Sequence, residues 1–177
     1  MTLKDELARE LEVTRRDFHH LLDSVPEALY PRPSDNPAWT IGEVLFHMSL
    51  APRFLTADLR LIIGQAWISK LIGALIPKSL FDVLNEYFTR RWASRVMTRE
   101  KLRRAYDTAH DNAMRALEKL KEDDFERLLE YPNFDELLSG VVSVEKLYRY
   151  ITIHFNAHAE QIRRVIETDS VHPNPAK

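Results

Sequence analysis

The sequence predicts an all-α protein: a four-helix bundle with a long, partly helical connection between its second and third long helices. Three observations carry the prediction. Four long segments repeat apolar residues at helical spacing, no run reads as a convincing strand, and no short internal repeat appears.

The first segment places Leu3, Leu7, Leu11, Thr14, Phe18, Leu21 and Leu22 on one stripe with charges between them. It predicts an amphipathic helix over 3–23, ending before Pro26. His19 and His20 lie near its C-terminus, and adjacent helical residues point about 100° apart. They cannot both face one site, so a surface or packing role is expected for them. Pro26, Pro31, Pro33 and Pro37 then forbid a continuous helix, and Ser34-Asp35-Asn36 supplies turn chemistry. Trp39, at the end of this connection, is expected to pack on the next helix.

Thr40 with Glu43 three residues on is a capping-box signature. The stripe that follows is Ile41, Val44, Leu45, His47, Met48, Ala51, Phe54, Leu55, Leu59 and Ile62, wide enough for a helix inside a bundle. Pro52 removes the bond to the Met48 carbonyl, so the helix should bend, or end, just past His47. Residues 61–84 are strongly apolar, yet too short and interrupted to span a bilayer. They are expected to bury against the bundle, line a pocket or form an oligomer contact. Residues 87–104 carry Arg90, Arg91, Arg95, Arg99, Lys101, Arg103 and Arg104 against the acid Glu100. Basic residues near aromatics can mark nucleic-acid contact. A solvated helix face is the better reading, because the rest of the chain is not basic.

Thr98 caps the third long helix, about 99–121, with His110 at the border of its stripe. Residues 122–142 are acidic and then loop-like, with Tyr131-Pro132-Asn133-Phe134 and Gly140 as turn signals. Ser143 caps the last helix, which is expected to reach about residue 168. A single domain over 1–168 and a loose tail over 169–177 follow.

The 177 residues suffice for a real core, and the shares of 45% hydrophobic and 29% charged are those of an ordinary globular chain. A net charge of −2 argues against a whole molecule built for nucleic acid or anionic membrane. With no cysteine, disulfides, a thiolate nucleophile and a Cys-type zinc site are excluded. Any metal falls to histidines and carboxylates. Four glycines, none in a phosphate-loop or dinucleotide pattern, leave no nucleotide fingerprint. The opening Met1-Thr2-Leu3-Lys4-Asp5-Glu6-Leu7 lacks the apolar core of a signal peptide, so a cytoplasmic location is expected.

The last helix carries the chemistry. Its seam runs Val144, Leu147, Ile151, His154, His158, Gln161, Val165, placing polar residues at three successive seam positions. Burying each unpaired costs about 1–3 kcal/mol. Hydrogen bonds would serve as partners; so would a shared metal, because histidines four apart stand one turn apart on one face. The pair alone is a weak signal. His47, on the seam of another helix, adds a third imidazole, and three imidazoles suit Zn²⁺, Ni²⁺ or Fe²⁺ while leaving positions open for a reactant. Gln161 is placed to hydrogen-bond a bound water. Glu43, one turn before His47, and Asp58, three turns after it, are candidates for support, although Glu43 already has a capping role. Asn156 points off the ligand face.

Two stretches also carry a resemblance. Trp39-Thr40-Ile41-Gly42-Glu43-Val44-Leu45-Phe46-His47, followed by His154-Phe155-Asn156-Ala157-His158-Ala159-Glu160-Gln161-Ile162, resembles the DinB-like superfamily of four-helix bundles over roughly residues 5–168. The resemblance implies a divalent metal on His47, His154 and His158, often a homodimer, and a small-molecule substrate. For some members it implies transfer of a low-molecular-weight thiol such as bacillithiol or mycothiol, and for others hydrolysis. From the charge balance and the short apolar run, no nucleic-acid or membrane partner is expected. A bundle that only binds metal or dimerises is the competing expectation.

Overall fold

The computed structural model describes residues 1–64, 78–95, 97–135 and 138–171, with the side chains of 58, 60–64, 81, 129–135 and 168–171 outside the description. The helices are α1 Leu3–Ser24, α2 Ile41–His47, α3 Leu50–Gly64, α4 Lys78–Ala93, α5 Arg99–Lys119 and α6 Val144–Val171. The expected caps Thr40, Thr98 and Ser143 all form, and Thr2, not foreseen from the sequence, caps α1. Thr2 and Thr40 form full capping boxes with Asp5 and Glu43. Thr98 accepts from the Lys101 N–H, and Ser143 accepts from the Lys146 N–H at 3.1 Å. Each satisfies backbone donors that a helix start leaves over.

α1, α3, α5 and α6 form the bundle: α1 packs on α5 and α6, and α3 packs on the same two. α2 sits against α4, α5 and α6. The core has two apolar clusters. One holds Phe18, Leu21, Trp39, Val44, Tyr106, Phe155 and Ile162, with Phe18 and Tyr106 stacked at 4.0 Å. The other holds Leu7, Leu11, Leu55, Leu117, Leu147 and Ile151. Between them, on each helix, the chain places buried or half-buried polar residues: Thr14 on α1, Ser49 before α3, His110 on α5, Thr152 and His154 on α6. Thr14 and Thr152 touch hydroxyl to hydroxyl at 2.9 Å. His154 belongs to this series, while His47 and His158 are flanked on both sides by members of the first cluster.

Of the two outcomes expected past His47, a bend or an end, the helix ends: it stops at His47 and restarts at Leu50. The Ser49 N–H and hydroxyl both bond the Phe46 carbonyl, at 2.9 and 2.7 Å, which closes the turn. Pro52 then falls in the first turn of α3, where a missing N–H costs nothing. Residues 122–142 are not simply a loop. Strands β1 Leu128–Asp135 and β2 Leu138–Ser143 pair antiparallel. Their register is irregular between Tyr131 and Asp135, where Pro132, with no N–H, interrupts the ladder. Gly140 is a strand residue opposite Tyr131, with a φ of 74° that suits glycine. The long connection is partly helical, as expected, and its helix α4 has 16 residues.

Of the apolar stretch 61–84, residues 65–77 lie outside the described residues. Its described end, the start of α4, presents Leu80, Val83 and Leu84 to solvent. α6 runs three residues past the expected end, and the tail from 172 lies outside the described residues. No helix among the described residues is long and apolar enough to cross a membrane.

Candidate metal centre

His47 is the last residue of α2, and His154 and His158 stand one turn apart on α6. Ile151, Phe155 and Ile162 bury that stretch of α6, carrying His154 to 4% exposure and leaving His158 half-buried. His47 is 8% exposed. Nε2 of His154 lies 3.1 Å from Nε2 of His47. The three rings are 4.5 to 4.9 Å apart between centroids, and one ligand nitrogen from each lies within 4.8 Å of the others. Two nitrogens bound at about 2.0–2.1 Å to one ion stand about 2.8–3.4 Å apart, for angles between square and tetrahedral. The His47–His154 pair fits that interval, so the group could hold a metal ion.

The sequence named all three rings, and the fold brings them together. His19, His20 and His110 stand apart from them. His19 bonds Asp107 at 2.7 Å, and His20 is exposed. His110 is buried between Glu12 and Asp111, each 3.6 Å from a ring nitrogen. Asn156 is exposed, and the Asp58 side chain lies outside the described residues.

Gln161 reaches His158: its Oε1 lies 2.8 Å from His158 Nδ1. Glu43 Oε2 accepts the Thr40 N–H at 2.8 Å, so its carboxylate serves the helix start that delivers His47. Trp39 packs where expected, its ring 4.3 Å from His47 and 6.3 Å from His158. A turn built by Ser34, whose hydroxyl donates to the Trp39 carbonyl at 2.8 Å, holds it there.

Thr89, which sequence reasoning missed, is fully buried on α4 with its hydroxyl 3.4 Å from His47 Nδ1. Its one signal was the four-residue spacing to Ala93, the other buried residue among the described side chains of α4. Arg90, next to it, donates to the Ala38 carbonyl beside Trp39 and pairs with Glu86. Arg99 donates to the Val25 carbonyl, and Arg103 and Arg104 pair with Asp23 and Glu100. Much of the basic charge of 87–104 is thus engaged within the protein.

Burial, and then repulsion from His158, pushes the His47 pKa down to about 3. Burial and both neighbouring rings push His154 well below the usual histidine range. Both are therefore neutral imidazoles at neutral pH, the form that binds metal.

A helical bundle with neutral imidazoles from two helices gathered in its interior is the class of protein that can carry a metal ion between its helices. The chain belongs to the DinB superfamily, whose family model matches residues 10–162. No curated protein and no solved structure matches it.

Proposed function

We propose that this chain binds one divalent first-row metal through His47, His154 and His158 and acts there on a small molecule, by transfer of a low-molecular-weight thiol or by hydrolysis. The observation that carries the reading is the facing of His47 and His154, Nε2 to Nε2 at 3.1 Å, with His158 beside them. A divalent ion on three imidazoles supplies a Lewis acid with positions left for a reactant, and lowers the pKa of a water or thiol placed there. Zn²⁺, Ni²⁺ and Fe²⁺ all suit such a donor set.

The chain's own residues hold and shield. Gln161 accepts from His158 and sets the angle of that ring. Trp39 covers His47 and keeps water from that side. Glu43 and Thr40 fix the start of the helix that presents His47. His158 is the least buried of the three, so a reactant would approach over it.

The deep burial of His47 and His154 supports a second reading, a metal clasp between α2 and α6 without turnover. Purification without a His-tag, followed by metal analysis and then assays of thiol transfer and ester or amide hydrolysis, separates the two. Stoichiometric metal with turnover that His158→Ala abolishes supports the enzyme. Metal with no turnover supports the clasp, and no metal under any loading condition ends both.

A further inference from the structure

A neutral imidazole has one N–H and one lone pair, and three rings can share an ion only if each turns a lone pair inward. Which nitrogen of each ring carries the proton follows from the neighbours. At His158, Nδ1 meets the Gln161 amide oxygen at 2.8 Å. That oxygen only accepts, so Nδ1 carries the hydrogen. At His154, Nδ1 is buried with no hydrogen-bond partner among the described residues. A proton there would be a buried donor left unpaired, a cost avoided if His154 is protonated on Nε2 instead. Nε2–H of His154 then donates to His47 Nε2 at 3.1 Å, which must be a lone pair. His47 is therefore protonated on Nδ1, and the group in front of that N–H is the Thr89 hydroxyl at 3.4 Å. The opposite arrangement, with the hydroxyl donating to Nδ1, reverses the His47–His154 bond and strands a proton on His154 Nδ1.

We propose that Thr89 is a positioning residue for this centre: its hydroxyl oxygen accepts the Nδ1–H of His47 and fixes the tautomer whose Nε2 lone pair faces His154. The tautomers follow from hydrogen bonding alone; their use in holding an ion rests on the proposed function. His47 and His158 are then preset as ligands, while His154 must move its proton from Nε2 to Nδ1 before it can bind. α4, which supplies no ligand, thereby bears on the metal site through one side chain.

Two measurements test this. Two-bond ¹H–¹⁵N correlation spectra of the metal-free wild-type protein, with ¹⁵N-labelled histidine, read the tautomers directly. His47 should be the Nδ1–H form and His154 the Nε2–H form; finding His47 as Nε2–H overturns the proposal without any variant. Calorimetric titration with Zn²⁺ then compares Thr89→Val, which keeps the shape and removes the acceptor, with Thr89→Ser, which keeps the hydroxyl. Thr89→Val should weaken Zn²⁺ binding about 10–100-fold, the usual cost of losing a partner behind a ligand, and Thr89→Ser should stay close to wild type. A folded Thr89→Val protein that binds Zn²⁺ as tightly as wild type overturns the role at the metal. Failure of the wild-type protein to bind Zn²⁺ would instead count against the proposed function, with the spectra still deciding the tautomer.

Discussion

His47 and His154 meet Nε2 to Nε2 at 3.1 Å, although 107 residues separate them in the chain. Two neutral imidazoles can share one proton across that gap, or the gap can be bridged by an ion. His47 lies among members of the first apolar cluster, and His154 stands between Ile151 of the second and Phe155 of the first.

Metal binding should stabilise the fold. At a free Zn²⁺ concentration a hundredfold above Kd, the gain is about 2.7 kcal/mol. For a chain of this size that corresponds to a rise in Tm of about 5–10 °C. Thermal scans of tag-free protein with and without Zn²⁺ check this, and His158→Ala should abolish the rise. A Tm that ignores Zn²⁺ would speak against the ligand set.

Gln161→Leu removes the oxygen that holds His158 Nδ1. Zn²⁺ affinity should fall about tenfold or more. Gln161→Glu keeps an acceptor at the same reach and should retain affinity. Calorimetric titration of both variants is the measurement. Equal losses would mean that Gln161 acts through packing rather than through its oxygen.

The metal-free protein should lose stability in mild acid. The His47 pKa is about 3 in the folded state, below the ordinary 6.5, so the unfolded chain takes up this proton first. Stability from this group is therefore complete above pH 6.5 and is lost as the pH falls from 6.5 toward 3. At about 1.4 kcal/mol per pH unit within that window, the loss attributable to His47 reaches about 2–3 kcal/mol by roughly pH 4.5. His154 adds to it in the same direction. Urea midpoints of chelator-treated protein between pH 7 and 4 should show the fall, with a shallower slope for His47→Gln. Equal slopes would refute it.

Trp39 is 8% exposed, with its ring on His47 and its Nε1–H buried without a partner among the described residues. Trp39→Ala should cost about 3–5 kcal/mol through the cavity it leaves. Trp39→Phe keeps an aromatic face and removes an unpaired donor, so it should cost much less. Chemical denaturation of the two variants separates the terms; equal costs would mean that the indole nitrogen has a partner after all.

What the sequence determined by itself was local. Helical periodicity, the caps at Thr40, Thr98 and Ser143, and the one-turn spacing of His154 and His158 are properties of neighbours along the chain. Physics within a few residues sets them, so they could be read without coordinates. The third ring, His47, was legible because it interrupts an apolar stripe that a bundle must bury. Contacts between groups distant in the chain needed the assembled fold. The β1–β2 hairpin rests on cross-strand pairing, which no single-strand pattern displayed. His47 met His154 across 107 residues because α2 packs on α6. Thr89 reached His47 across 42 residues because α4 packs on α2, and nothing near Thr89 in the chain specifies where that helix will lie.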